Sequence, residues 1–267
     1  MTDRKESRAR AAAPRLARTL AVTSGKGGVG KTLVSANLAA SLARRGQRVL
    51  VLDADLGLAN LDVVLNLHSK VTLHDVFNGK AELESAILPA PGGFSVLLAG
   101  SGLVEYSRLT NDVREQLLNI VEKLKPRFDF ILLDTGAGIS DVVLFAVSLA
   151  SEVLVVATPE PTSLTDAYAT IKVLATQQDR RLIKLVVNQI ARAGEGRAIR
   201  GQLQQVIDRY VMPAMPTGAS LKLDLLGEVM VDPAVRDAVL RRQLIVEAMP
   251  GCPAAVAIGA LATRLLA

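Results

Sequence analysis

Short runs rich in Val, Ile and Leu recur along this chain, separated by segments with helical patterning. Residues 19–24, 48–53, 94–98, 128–134, 152–157, 182–188 and 221–226 read as strands. Several hold unbroken apolar stretches (VLVL, FILL, VLVVA, LVV) rather than alternation, as strands buried on both faces of a parallel sheet do. Helices are expected over 31–45, 111–125, 141–150, 163–177, 197–210, 233–241 and 253–266. Strand and helix alternate without an internal repeat or a low-complexity linker. That order predicts an α/β fold: one doubly wound, mostly parallel sheet flanked by helices, with ligands at the carboxyl ends of the strands.

Composition narrows the picture by exclusion. With 267 residues, half of them hydrophobic, the chain can bury a core without disulfides or a structural metal. Its single cysteine, Cys252, rules out a disulfide framework, and two histidines, His68 and His74, make no His-rich site. All three read as ordinary structural or surface residues. The longest apolar run, 142–149, is too short to span a bilayer. The net charge of +5 points toward nucleic acid until it is located. Residues 1–18 carry six Lys and Arg against two acids, leaving 25 against 24 in the rest. The expected organisation is a basic tail at 1–18 and one near-neutral domain at 19–267. The tail has no long apolar core or small-residue cleavage site, so a cytoplasmic protein is expected.

The most specific chemistry lies in Ser24-Gly25-Lys26-Gly27-Gly28-Val29-Gly30-Lys31-Thr32. It fits G-x-x-x-x-G-K-[ST] and falls between a strand and a helix, as a phosphate loop requires. The glycines let successive N–H groups turn toward phosphate oxygens, and the following helix adds its positive end. Lys31 is expected on the β- and γ-phosphates, and the Thr32 hydroxyl on Mg²⁺. These features predict a nucleoside triphosphate site.

A lysine directly after the first glycine, Lys26, is not needed by an ordinary phosphate loop. The pattern K-G-G-x-G-K-[ST] resembles the deviant Walker A motif of the MinD/ParA ATPases, P-loop NTPases of the SIMIBI type. The resemblance implies that Lys26 crosses a dimer interface to the partner's phosphates, making the ATP-bound homodimer the active form. A cation delivered there would offset charge on the transferred phosphoryl group. The plain alternative is a solvated loop charge.

The second strand ends in DADLGLANLD (53–62), similar to the first switch of MinD-like ATPases. Asp55 is assigned to orienting the attacking water, with Asn60 a nearby switch residue. Asp53 reads equally well as a structural anchor that holds the loop through backbone N–H groups. The fourth strand is apolar and ends in Asp134, a Walker B arrangement in which the carboxylate accepts from Mg²⁺-bound water or from Thr32. Gly136 and Gly138 follow in a loop suited to sensing the γ-phosphate. On the base side, Asn188 ends the sixth strand, where an amide can read the adenine edge with one donor and one acceptor. Asp232, Pro233 and Arg236 resemble the family's second adenine-side loop.

Three segments narrow the resemblance further: 53–62, 134–141 (DTGAGISD) and 160–174 (EPTSLTDAYATIKVL) look like the flagellar-number-regulator branch, FlhG/FleN. MinD proper usually carries Arg before the switch Asn and Ser-Pro after the Walker B Asp, where this chain has Ala59 and Thr135-Gly136. The likeness runs from about Thr19 to the C-terminus. It implies a slow, dimer-dependent ATPase that limits flagellar number or placement. Its implied partners are an FlhF-type GTPase, flagellar C-ring proteins and, in some bacteria, a flagellar transcription activator. It also leaves open a peripheral position at the inner membrane face or the cell pole. Members of this branch often begin with an Asp-Gln-Ala segment that engages FlhF, and residues 1–18 contain none. The tail therefore reads as a solvated arm, or as a helix formed on a partner.

The 253–266 helix has Arg264 as its one charge, so it reads as a core helix rather than an interfacial one. Two other functions fit the same motifs. A ParA-like partition ATPase would bind DNA through Arg192, Arg197, Arg200, Arg209, Arg236, Arg241 and Arg242. Glu195, Asp208 and Asp237 dilute that charge, and no aromatics interleave for stacking, so nucleic acid is not the expected partner. A MinD-like division-site regulator would be a membrane switch.

Overall fold

The computed structural model describes residues 16–56, 60–100, 109–216 and 218–267. Eight strands form one sheet in the order β3-β4-β2-β5-β1-β6-β7-β8. The strands are β1 (Arg18–Ser24), β2 (Val49–Ala54), β3 (Ile87–Pro89), β4 (Ser95–Leu97), β5 (Phe130–Ala137), β6 (Glu152–Ala157), β7 (Leu182–Ile190) and β8 (Lys222–Met230). Every neighbouring pair is parallel except β3 and β4. The short antiparallel edge strand β3 was not expected, because three half-exposed residues carry no periodic signal.

The strand residues divide by parity between two cores, as the two-residue pleat demands. Leu50, Leu52, Ile131, Leu133, Val153 and Val155 face one side. There they meet α5 (Asn111–Leu124), α6 (Asp141–Ser148), α7 (Pro161–Gln177) and α8 (Glu195–Tyr210). Leu20, Val22, Val51, Leu132, Leu154 and Val156 face the other, against α1 (Lys31–Ala43) and α11 (Pro253–Leu266). Both sides of the central strands are therefore covered, which is why VLVL and FILL show no alternation.

The short helices α2 (Leu61–Leu65), α3 (Leu73–Phe77), α4 (Leu83–Ala86) and α10 (Ile245–Ala248) escaped the sequence reading, being four or five residues long. The helix α9 (Pro233–Leu240) starts where expected. The last strand runs four residues beyond its expected end because a register shift at Gly227 keeps it paired with β7 through Met230. The seventh helix begins at Pro161, where the missing N–H costs nothing.

Of the expected tail, residues 1–15 lie outside the described residues. Arg18 is already the first residue of β1: its Nε donates to Glu152 at 2.8 Å, and its guanidinium lies 5.0 Å over the Phe130 ring. The helix α11 is a core element, with Ala254, Ala255, Ile258, Leu261, Ala262 and Leu265 buried. Among the described residues, no helix is long and apolar enough to cross a membrane.

Candidate nucleotide site

The loop from Ser24 to Thr32 joins β1 to α1 at the carboxyl edge of the central strands. Gly28 and Gly30 sit at φ +80° and +87°, a region that side chains rarely enter, and this is what curls the loop. Gly25 serves a different purpose. A Cβ there would collide with the backbone carbonyl of Asp166, so glycine lets the loop lie directly against α7. The Ser24 hydroxyl donates to the Lys26 carbonyl at 2.9 Å and braces the turn from inside.

A cavity of about 610 Å³ opens above the loop. Gly27, Gly28, Gly30, Lys31 and Thr32 line one wall, and Asp55, Asn60 and Gly136 line the other. The two switch segments touch: a Cβ on Gly136 would lie 3.4 Å from the Asp55 carboxyl carbon and from Oδ1. The second is also tied to the phosphate loop, since Gly138 N–H donates to the Ser24 carbonyl at 2.8 Å. Gly57, Leu58 and Ala59 of the first switch lie outside the described residues.

Asp134 is 3% exposed, and its Oδ1 accepts the Ser35 hydroxyl at 2.9 Å. Burial pushes this carboxyl up, opposed by the Lys31 charge and by hydrogen bonds from Thr32 and Ser35. Lys31, Thr32 and Ser35 thus converge on one carboxylate from one side of α1. The i, i+4 spacing of Lys31 and Ser35 was the signal in the sequence that could have revealed the serine. The arrangement fits a divalent cation held through Thr32 and water, because a buried carboxylate beside a threonine hydroxyl is an oxygen donor set. Among the described residues no group of three or more His, Cys, Asp or Glu could hold a metal by itself, so phosphate oxygens and water must complete the shell.

Asp53 behaves as the anchor. It is 2% exposed, and its Oδ1 accepts the Asp55 N–H at 3.1 Å. Burial pushes its carboxyl well up, followed by the charge of Asp134 beside it in the register of β2 and β5. Asp55 is half-buried and reaches the cavity; Asp53 does not line it.

The expected base-side residues lie outside this cavity. Asn188 is buried beneath the phosphate loop, where its Nδ2 donates to the Val29 carbonyl at 2.8 Å and abuts Gly30. That commits one of its two amide N–H groups to the loop. The Asp232 carboxylate is also committed: Oδ1 accepts from Ala234 N–H and Oδ2 from Ala254 N–H, both at 3.0 Å, capping α9 and α11. These bonds, the Ala254 N–H foremost, hold it below the usual carboxylate range. Pro233 and Arg236 are exposed, and none of the four lines the cavity.

Lys26 is not in the cavity either. Its ammonium donates to Glu160 Oε2 at 2.6 Å and to Thr162 Oγ1 at 2.9 Å, at the start of α7. Glu160 and Thr162 were not singled out beforehand, since nothing in their spacing says that α7 would begin beside the loop.

Residues 15–266 match the family described as ParA: NUBPL iron-transfer P-loop NTPase. The chain is 40% identical to the antiactivator FleN of Pseudomonas aeruginosa, over 92% of this chain and 85% of that one. It is 34% identical to the flagellum site-determining protein YlxH of Helicobacter pylori, over 86% and 76%. Its fold is similar to that of the septum site-determining protein MinD of Pyrococcus horikoshii in complex with Mg-ADP, with a TM-score of 0.76 and 28% identity over 94% of this chain and 96% of that one. The chain belongs to the ParA/MinD family of P-loop NTPases.

Proposed function

We propose that this chain is an ATP-binding and ATP-hydrolysing dimerisation switch that regulates the number or placement of bacterial flagella. The observation that carries the switch is the second loop lysine: Lys26 stands outside its own cavity beside a complete phosphate loop. The flagellar assignment is supported by the likeness to FleN and YlxH.

When bound, Mg²⁺ would supply divalent positive charge to offset that of the phosphates. Thr32 would hold it through its hydroxyl, and Asp134 through water. Gly25, Gly27, Gly28, Val29, Gly30 and Lys31 present N–H groups around the phosphates, and the Lys31 ammonium neutralises their outer oxygens. Asp55, facing the same space, accepts a hydrogen bond from the attacking water and orients it. Lys26 adds positive charge at a second copy's site, so hydrolysis depends on the dimer. Asn60 and Gly136, at the rim, carry the change to the surface. Asn188 supports the loop from below, with its amide oxygen left for a base amine.

The implied partners are an FlhF-type GTPase, flagellar C-ring proteins and a flagellar transcription activator. The protein works in the cytoplasm, or peripherally at the inner membrane face or the pole. Sizing with Mg·ATP tests the switch: a dimer that Lys26→Ala abolishes is expected, and a monomer at saturating nucleotide refutes it. Capture with the Asp55→Ala variant tests the branch. Flagellar proteins are expected; chromosome-segregation or division proteins would favour the partition or MinD-like reading instead.

A further inference from the structure

Asp53 offers a second oxygen that the nucleotide site does not use. Oδ1 holds the Asp55 N–H and the Leu61 N–H also acts on the carboxyl, but among the described residues Oδ2 is buried with no close hydrogen-bond partner. An unmatched buried acceptor carries its full desolvation cost. Asp53 lines a separate cavity of about 200 Å³ behind the first switch, together with Asp62, His68, Ser69 and Thr72, over a floor of Leu67 and Leu98.

The lining selects its ligand. The Thr72 hydroxyl already donates to Asp75 Oδ2 at 3.0 Å, and the Ser69 hydroxyl is spent on the Val71 carbonyl. Asp53 Oδ2 and the second oxygen of Asp62 remain, Asp62 Oδ1 accepting the Val63 N–H at 2.8 Å, and among the described residues neither carboxylate has a cationic partner. No Lys or Arg is among the described lining residues. A bare metal ion is a poor match, because no group of three ligating side chains is assembled among the described residues. An organic cation fits better. It brings several N–H donors to acceptor-rich walls and lays its carbon face on leucine. The volume holds a guanidinium with a few waters, at about 30 Å³ per water.

We propose that this cavity binds a small cationic head group, a guanidinium or an ammonium, behind the first switch. Its occupation fixes the Asp53 carboxyl, and through the Asp55 N–H it biases the carboxylate that faces the phosphates. The site stands on its own geometry and does not depend on the flagellar assignment. The head group comes either from a free small cation or from a basic side chain of a partner protein.

The test titrates methylguanidinium chloride into the full-length protein, following thermal unfolding and amide chemical shifts, with NaCl at matched ionic strength. A saturable response in the millimolar range is expected, with at least roughly tenfold weaker affinity in both Asp53→Asn and Asp62→Asn. A blocked Gly-Arg-Gly peptide run beside its Gly-Gln-Gly analogue separates the sources. Tighter binding of the arginine peptide than of methylguanidinium marks a partner side chain, and weaker binding marks a free cation. A response no larger than that of NaCl overturns the proposal, as does unchanged affinity in both variants. Asp62→Asn, half-exposed at the cavity wall, keeps the test decisive if the buried Asp53 variant folds poorly.

Discussion

Lys26 Nζ lies 2.6 Å from Glu160 Oε2, so the lysine that distinguishes this phosphate loop is held by the first turn of its own α7. Both partners are substantially exposed, at 37% and 61% of their side chains, and the pair is worth only about 0.2–1 kcal/mol. A contact that weak can be exchanged for a second copy's phosphates at little cost. Glu160→Gln is expected to strengthen the ATP-dependent dimer by up to about fivefold, measured by sedimentation equilibrium, whereas Lys26→Ala should abolish it.

Gly25 presses its backbone against the Asp166 carbonyl, leaving no room for a methyl group. Gly25→Ala must move the loop away from α7. The expected cost is about 1–3 kcal/mol of stability, with nucleotide affinity reduced roughly tenfold or more, read by denaturant melts and by titration of a fluorescent ATP analogue.

Asn188 is joined to the loop by one buried hydrogen bond to the Val29 carbonyl. Asn188→Ala leaves that carbonyl without its donor, and a loss of about 1–3 kcal/mol is expected. Because the amide supports the phosphate side, affinities for ATP and GTP should fall together; a selective loss of ATP would instead mark Asn188 as mainly a base reader.

Asp232 caps two helices at once. Asp232→Ala should cost about 1–2 kcal/mol while leaving nucleotide affinity within about twofold. Its carboxyl is depressed in the fold, so its stabilisation is present above the ordinary carboxylate range and is lost as pH falls through the folded value. The difference in melting temperature between wild type and variant should therefore shrink in acid.

Asp53 has the opposite sign. Its carboxyl is raised in the fold, so its contribution is complete below the ordinary carboxylate range and is lost as pH rises through the folded value. Asp53→Asn cannot ionise. The nucleotide-free variant should gain in melting temperature relative to wild type as pH rises above the ordinary carboxylate range, and a constant difference would show that Asp53 does not titrate there.

Much of this site was legible because its signals are local. The phosphate loop needs glycines and a Lys-Thr pair within nine residues, and an apolar run leading into Asp134 marks a buried strand by itself, although β5 continues past the expected end to Ala137. Residues whose role depends on a distant neighbour were harder to place. Asn188 was expected to end its strand but lies within β7, Asp232 lies beyond the end of β8 as the cap of α9, and their hydrogen bonds go to Val29 and Ala254, contacts that spacing along the chain cannot show. Ser35, Glu160 and Thr162 were passed over for the same reason.

Taken alone, the sequence determined the alternation of strands and helices, the doubly buried sheet and the loop that cradles phosphate, because each follows from patterning or backbone freedom within a short window. Only the tertiary structure decided which of two neighbouring aspartates faces the cavity. Two positions apart, they would share a face in a continuous strand, but β2 ends at Ala54, so Asp55 turns out of the strand to the cavity while Asp53 stays buried within it. Likewise, packing α7 against Gly25 is what brings Glu160 to Lys26, across 134 residues of chain.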